Sequence, residues 1–238
     1  MSKTQELFRE DSYAKSCEAE IQGINDHGGI ILDRTVFYPS GGGQPGDAGS
    51  LKRADGSQIQ ISTTVHESDR RTIVHVPAEG SAALEIGEKV QCVLDWDERY
   101  SHMRVHTALH LLCAALPYPV TGGSIGNGKG RLDFDIPDAG LDKDALSEEL
   151  NKLISRDLPV SISWFSDEEL EAQPDLVRTM AVKPPMGTGK VRMIAVGDVD
   201  LQPCGGTHVA NTREIGTAQV SKIENEGAHN RRVRIVLS

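Results

Sequence analysis

The side chains best suited to chemistry form two pairs that lie far apart in the chain. His106 and His110 stand four positions apart, and Cys204 and His208 repeat that spacing almost a hundred residues later. On a helix, residues i and i+4 share a face and lie about 6 Å apart along the axis, so both imidazoles can reach one ion. The two glycines after Cys204 suit a turn that approaches the same ion. Three nitrogens and one sulfur are ligands that zinc prefers, so the pattern predicts one Zn2+ site assembled by tertiary structure.

Two neighbours of the histidine pair offer alternative ligands. His102 continues the four-residue spacing, but His102 and His110 would lie about 12 Å apart along a helix, so one of them is expected to be idle. Cys113 is expected to be a small core residue. Thr107 stands where a His-Glu-x-x-His metalloprotease carries its general base, which argues against a protease.

Three segments give the chain a resemblance to a known family. Residues 103–112 (MRVHTALHLL) and 201–209 (LQPCGGTHV) resemble the two editing motifs of alanyl-tRNA synthetases. Residues 39–47 (PSGGGQPGD) resemble the glycine-rich motif of free-standing alanyl-tRNA editing proteins of the medium-length type. The resemblance selects His106, His110, Cys204 and His208 as the zinc ligands. It implies a trans-editing hydrolase that deacylates mischarged seryl-tRNA(Ala), with glycyl-tRNA(Ala) as a further candidate substrate and no need for ATP.

The glycine-rich segment is predicted to take part in that reaction. Glycines let a backbone approach an ester closely, so the backbone of Gly41, Gly42 and Gly43 is expected to contact the substrate. Gln44 and Asp47 are predicted as catalytic residues that meet the zinc pocket. The alternative is a flexible hairpin without chemistry.

A second glycine-rich segment, residues 121–130, follows the histidine pair. Thr121 and Ser124 are predicted to hydrogen-bond the hydroxyl of the seryl group, and a mobile loop is the alternative. The glycine-rich run at 187–190 is predicted as a plain turn, because it lacks the first glycine and the Ser or Thr of a phosphate-binding loop.

Charge limits the way in which the chain can bind RNA. The formal net charge of −10 argues against broad non-specific binding of nucleic acid, including DNA, but it allows a local basic track to the acceptor end of one tRNA. Four residues are predicted to bind substrate: Lys129, Arg131, Arg231 and Arg232. For each of them singly, solvated surface charge is the alternative.

The elements that must position these residues predict an α+β fold. Residues 1–95 are predicted to form a small β-barrel domain. Its strands are expected at 30–32, 36–38, 58–65, 72–76 and 89–94, and a turn at Asp33-Arg34 is expected to join the first two. Residues 96–238 are predicted to form the zinc domain, an antiparallel sheet with helices on one face. Its helices are expected to begin near Asp95, Asp142 and Ser166, and its strands to cover 133–135, 160–165, 191–196, 216–222 and 232–237.

Two other functions remain open from the sequence. Four protein ligands would make a closed site, which is typical of structural zinc in a non-catalytic tRNA-binding module. Editing of a threonyl-type system is the other alternative, since threonyl-tRNA synthetase editing domains carry a similar pattern of histidine and cysteine. No apolar run approaches the roughly 18 residues of a membrane span, and the four cysteines show no close pairing. We therefore expect a cytoplasmic protein without a membrane partner. Its oligomeric state stays open, with a monomer as one candidate.

Overall fold

The structure is a computed structural model that describes residues 3–81, 84–137, 140–172, 190–227 and 229–238. The chain divides into two compact units, residues 1–100 and 101–238. The turn predicted at 187–190 falls largely in 173–189, which lie outside the described residues. Among the helices that are described, none is both long and apolar enough to cross a membrane.

The first unit is built around a β-barrel, as predicted. Its strands are β1 (Gln5–Glu6), β2 (Ser16–Ile24), β3 (Ile30–Leu32), β4 (Arg34–Thr35), β5 (Gly49–Lys52), β6 (Gln58–His66), β7 (Ile73–Pro77) and β8 (Lys89–Leu94). Six of these described strands close in the order β2-β3-β7-β6-β5-β8, while β1 pairs with β4. Alternation directs apolar side chains inward, since β6 buries Ile59 and Ile61 and exposes Gln58 and Gln60.

The strand predicted at 36–38 is wrong, as is the turn at Asp33-Arg34. Strand β4 occupies 34–35, and Val36, Phe37 and Tyr38 form an irregular, buried segment. Side chains satisfy two of its backbone donors: Phe37 N–H donates to Thr35 Oγ1 (3.0 Å) and Tyr38 N–H donates to Asp47 Oδ2. An apolar segment can therefore be buried in the core without forming a strand, because side chains satisfy its backbone hydrogen bonds.

The second unit is mixed, and its elements follow the chain from the helix that carries the histidines. They are α1 (Trp96–Ala115), β9 (Val120–Gly126), β10 (Lys129–Asp135), α2 (Lys143–Ser155), β11 (Val160–Phe165), α3 (Asp167–Glu171), β12 (Val191–Val196), β13 (Asp200–Pro203), β14 (Ala218–Asn225) and β15 (Asn230–Leu237). Helix α1 begins just before the division at residue 100. Asp142 caps α2, and Ser166 forms a capping box with Glu169 at α3, so both helices begin where the sequence predicts.

The described strands of this unit form two antiparallel sheets, where one was predicted. One has the order β14-β15-β10-β9 and the other β11-β12-β13. Residues 121–130 are a paired hairpin rather than the mobile loop that was the alternative. Gly130 brings α1 close to β10, because a Cβ at residue 130 would lie 2.7 Å from Val105 Cγ1 and 3.2 Å from Leu109 Cδ1. The histidine helix is thereby fixed against the four-stranded sheet.

Candidate metal centre

Four side chains of the second unit converge on one point. His106, His110, Cys204 and His208 each direct a nitrogen or sulfur there, and these atoms all lie within 4.8 Å of one another. Cys204 Sγ is 3.5 Å from His106 Nε2 and 3.3 Å from His208 Nε2. In a tetrahedral zinc site the Zn–S and Zn–N bonds place sulfur and nitrogen about 3.5 Å apart. The donor set and its spacing therefore fit a zinc ion.

A helix and a supported loop bring the ligands together. Helix α1 places His106 and His110 one turn apart, with ring centroids 5.3 Å from each other. Cys204 follows β13, and the buried Arg192 guanidinium donates to the carbonyls of Cys204 (2.8 Å) and Gly206 (2.9 Å). The Gly206 N–H lies 3.4 Å from Cys204 Sγ, so it can donate to the sulfur. Arg192 therefore holds the loop in the shape that directs Cys204 inward.

His110 is oriented by two polar residues of β13. Its Nδ1 lies 2.8 Å from Asp200 Oδ2, and the Gln202 amide nitrogen lies 3.0 Å from both of those atoms. A proton on Nδ1 donated to the carboxylate leaves Nε2 of His110 free for a metal. Asp200 therefore selects the tautomer that a ligand needs.

Thr107 provides the equivalent support for His208. The Thr107 hydroxyl donates to Met103 O (3.0 Å) and lies 3.2 Å from His208 Nδ1, so it can accept the Nδ1 proton of that imidazole. Thr107, which replaces the general base of a metalloprotease, thus orients the candidate metal ligand His208.

The pKa shifts of Cys204 and His208 favour metal binding, whereas that of His110 opposes it. Burial alone would raise the pKa of the Cys204 thiol, but His106 and His208 hold that pKa well below its ordinary value. Burial lowers the pKa of His208 far below its usual range, and the nearby His106 lowers it further. Burial also opposes the charge on His110, but its hydrogen bonds to Asp200 and Cys204 together outweigh burial and raise the pKa of His110 to about 10, so a bound metal ion would have to displace a proton from this imidazole. A thiolate and a neutral His208 are the forms that bind metal.

The two alternative ligands lie outside this group. His102 and Cys113 are 2 % and 5 % exposed, and neither belongs to the four converging residues. The core position expected for Cys113 is confirmed. Of the two outer histidines that the spacing left open, His110 is the one in the group.

The glycine-rich segment of the first unit forms a tight turn. Gly41 N–H donates to Gln44 O (3.0 Å) and Gln44 N–H donates back to Gly41 O (2.9 Å). Gly42 and Gly43 have φ of 55° and 82°, a left-handed conformation that glycine adopts without strain. The three glycines are exposed and the Gln44 side chain is buried.

Asp47 anchors this turn inside the first unit. Both of its carboxylate oxygens lie 3.0 Å from Nε of Arg99, and a further Arg99 nitrogen also contacts the carboxylate. The guanidinium is fully buried and also donates to the carbonyls of Ser12 and Val36. The catalytic roles of Gln44 and Asp47 stay predictions, and the structure gives Asp47 a buried ion pair with Arg99 of helix α1.

The two predicted hydroxyl sensors lie on β9. Thr121 Oγ1 donates to Asp133 O (3.1 Å) and is 3.3 Å from Asn230 Oδ1. Ser124 is exposed and lies opposite Arg131 in the ladder with β10. Thr121 is thus held in place by neighbouring strands, whereas Ser124 faces solvent.

The predicted basic residues are largely balanced by acids. Arg131 Nη1 is 2.5 Å from Asp133 Oδ2, and Arg232 binds both oxygens of the same carboxylate (2.8 and 3.0 Å) and also pairs with Glu226. The remaining two differ: Lys129 is exposed, while Arg231 is buried and donates to the carbonyls of Gly227 and Asn230. Their role in substrate binding stays a prediction.

Residues that the sequence reasoning missed include Asp200 and Gln202. Because strand β13 was not predicted, the sequence did not indicate that Asp200 and Gln202 lie on the same side as Cys204. Residues i, i+2 and i+4 of a strand share a face, so recognition of β13 would have placed all three on one side.

Two family models and several known proteins match the sequence of this chain. The family model "tRNA synthetases class II (A)" matches residues 3–98, and "Threonyl and Alanyl tRNA synthetase second additional domain" matches residues 191–234. The Alanyl-tRNA editing protein AlaX-M of Methanosarcina acetivorans is 34 % identical over 98 % of this chain and 99 % of its own length. Its Saccharolobus solfataricus counterpart is 36 % identical over 97 % of each chain. The Alanine--tRNA ligase of Pyrobaculum neutrophilum is 34 % identical over 94 % of this chain but only 26 % of its own length.

Proposed function

Because the chain belongs to the family of alanyl-tRNA editing proteins, we propose that it hydrolyses the aminoacyl ester of mischarged seryl-tRNA(Ala). Glycyl-tRNA(Ala) is proposed as a further substrate. The observation that carries the proposal is the four-residue centre, which lies in a chain that aligns over nearly its full length with editing proteins. Water adds to the ester carbonyl carbon and the bond to the ribose oxygen breaks, which yields free serine and uncharged tRNA without ATP.

Zinc is the ion that we propose for the centre. His106, His110, Cys204 and His208 would hold it, since one thiolate and three imidazoles are a typical zinc set. A zinc ion supplies positive charge that can orient the aminoacyl group, polarise its carbonyl or activate water, and we favour orientation. An aminoacyl ester is intrinsically labile, so correct positioning of the ester and a water can supply much of the rate.

Selection of serine over alanine requires a hydrogen bond. An alanyl group is smaller than a seryl group, so the site cannot exclude it by size. A buried polar group left unpaired by alanine costs about 1–3 kcal/mol, which corresponds to roughly one or two powers of ten in rate. We propose Thr121 and Ser124 as candidates within the second unit, with Gln44 as a third.

Two other functions have specific support. The description of the second family model includes threonyl as well as alanyl synthetases, so a threonyl-type substrate stays an alternative. Four protein ligands also match a closed, structural metal site in a binding module.

One substrate panel separates these functions. The purified chain is incubated with seryl-, glycyl- and alanyl-tRNA(Ala) and with seryl-tRNA(Thr), and loss of the amino acid is followed over time. The proposal expects rapid deacylation of seryl-tRNA(Ala) and slow loss from alanyl-tRNA(Ala). Preference for seryl-tRNA(Thr) would establish the threonyl-type alternative, and tRNA binding without any deacylation would establish the binding module.

A further inference from the structure

One face of the sheet β11-β12-β13 supports the metal centre. Cys204 N–H donates to Arg192 O (3.1 Å), and Gln202 pairs with Ile194 and Asp200 with Val196. Directly paired residues of an antiparallel sheet project from the same face. The face therefore carries the ligand Cys204 and the residues that orient His110.

Trp164 lies on that same face at the outer strand. It pairs with Arg192, as Ile162 pairs with Ile194, and β11 lies at the edge of the sheet that the described strands form. Trp164 is 46 % exposed and Ile162 is 39 % exposed. Their neighbours Ser161 and Ser163 project to the other face, which is the side where Leu170 of α3 packs against Val191 and Met193. Trp164 is thus partly exposed on the metal side of the sheet.

The row Trp164, Arg192, Cys204 crosses the three strands directly. Adjacent strands lie about 4.8 Å apart, so the backbone of Trp164 is about 10 Å from that of the metal ligand. The proposed substrate carries its amino acid on the ribose of a terminal nucleotide. When the aminoacyl group lies at the metal centre, the base of that nucleotide extends outward by about the length of one nucleoside.

We infer that Trp164 is a stacking platform for the terminal nucleobase of the aminoacylated RNA, with Ile162 extending the apolar contact. The inference rests on the proposed function. A patch of one indole and one aliphatic side chain matches a single base and is far smaller than a stable protein interface. An indole accepts any base through its π face, which suits an end that all tRNAs share.

The test uses RNA hairpins that differ only at the last position. One ends in CCA, and the other carries an abasic ribose in place of the terminal adenosine. Trp96 is the only other tryptophan of the chain, so a Trp96→Phe background isolates the fluorescence of Trp164. The CCA hairpin should quench this fluorescence, and the abasic hairpin should not.

Variants of the full-length, metal-loaded protein give the second measurement. Trp164→Ala should weaken binding of the CCA hairpin and raise KM for seryl-tRNA(Ala) by about tenfold, because base stacking contributes that much. It should leave kcat, metal content and binding of the abasic hairpin unchanged. Trp164→Phe should restore most of the loss, since phenylalanine keeps an aromatic face. The matched control is Ser163→Ala, on the opposite face of β11, which should behave as wild type.

Several outcomes would overturn the inference. Equal quenching by both hairpins would do so, as would an unchanged KM in Trp164→Ala or an equal loss for CCA and abasic ends. A change in sedimentation with no change in RNA binding would assign the patch to self-association. Should Trp164→Ala lose its metal, the quenching of Trp164 fluorescence in the Trp96→Phe background decides, because it compares the CCA and abasic hairpins with Trp164 intact. The proposed function fails separately, when wild type deacylates none of the charged tRNAs.

Discussion

Cys204 is the residue on which the metal centre depends most. It supplies the sulfur, and its thiolate is the negative charge among the four ligands. Cys204→Ala should therefore abolish stoichiometric zinc binding and deacylation together. Zinc measured by mass spectrometry on the purified variant tests this. Cys113→Ala is the control and should keep both. Full zinc content in Cys204→Ala would contradict the assignment and reopen Cys113 as the sulfur ligand.

Asp200 should control metal affinity without touching the ion. Asp200→Asn keeps the shape but removes the charge that fixes the His110 proton, so zinc affinity should fall by about 10- to 100-fold. Competition with a chromophoric chelator measures it. Asp198→Asn is a suitable control, because Asp198 is an exposed partner of Arg156. Equal affinities in the two variants would show that Asp200 does not tune the centre.

The residue that hydrogen-bonds the seryl hydroxyl should be identifiable from the ratio of the hydrolysis rates for seryl- and alanyl-tRNA(Ala). Of the variants Thr121→Val, Ser124→Ala and Gln44→Leu, the one that removes the sensor should slow seryl-tRNA(Ala) hydrolysis about 10-fold or more and change alanyl-tRNA(Ala) hydrolysis little. Initial rates on both substrates give the ratio. A wild-type ratio in all three variants would place hydroxyl recognition elsewhere and leave the metal assignment intact.

Single residues were predictable where their spacing encodes the geometry. The four-residue spacing of His106 and His110 matches one turn of a helix, and Cys204 and His208 repeat that spacing, so both pairs could be predicted as ligands. Thr107 and its contact with His208 could not be predicted, because the contact joins residues about a hundred positions apart.

Among the elements, the strands with strong apolar or β-branched runs were predictable to the residue. This holds for β3, β8, β11 and β12, whose bounds match the prediction. Strand β2 was missed because Glu18 and Glu20 dilute its apolar signal, although its alternate residues face the barrel interior. Strand β9 was missed because its glycines carry little strand propensity.

The barrel also brings together two cysteines that are distant in sequence. Cys17 and Cys92 pair directly across β2 and β8, whereas their positions in the chain suggested no pairing. Both are free thiols, and the hydrogen bond to Cys17, together with burial, raises the pKa of Cys92. Only the register of the closed barrel determines this contact.

A buried histidine should make the barrel unit sensitive to acid. His75 lies between Thr35 Oγ1 (2.8 Å from Nε2) and Ile30 O (3.0 Å from Nδ1), and burial lowers its pKa from 6.5 to about 4. The unfolded chain therefore binds the proton more readily. The contribution of neutral His75 to the free energy of unfolding is complete above pH 6.5. It is lost as the pH falls towards 4, by about 3 kcal/mol in all.

Urea unfolding at pH 7 and pH 5 tests this prediction. Trp96 fluorescence reports on the first unit in a Trp164→Phe background. The free energy of unfolding should fall less between the two pH values in His75→Gln, which cannot be protonated. Equal losses in His75→Gln and in the parent would show that other groups cause the acid sensitivity.

For the whole molecule, family membership and the metal centre support the same function. The chain aligns with editing proteins across both units, and the centre lies within residues 101–238. If the proposed function is right, the net charge of −10 and the pairing of Arg131 and Arg232 with Asp133 favour brief contact with tRNA over tight binding. Weak general affinity would help the deacylated product to leave.

Titration of the metal against activity tests the central claim most directly. The protein is stripped with a chelator, zinc is returned in steps, and bound zinc and the rate of seryl-tRNA(Ala) deacylation are measured on the same samples. The rate should rise in proportion to occupancy and level off at one zinc per chain, with Cys204→Ala inactive throughout. A folded, metal-free protein that deacylates seryl-tRNA(Ala) at the full rate would contradict the account.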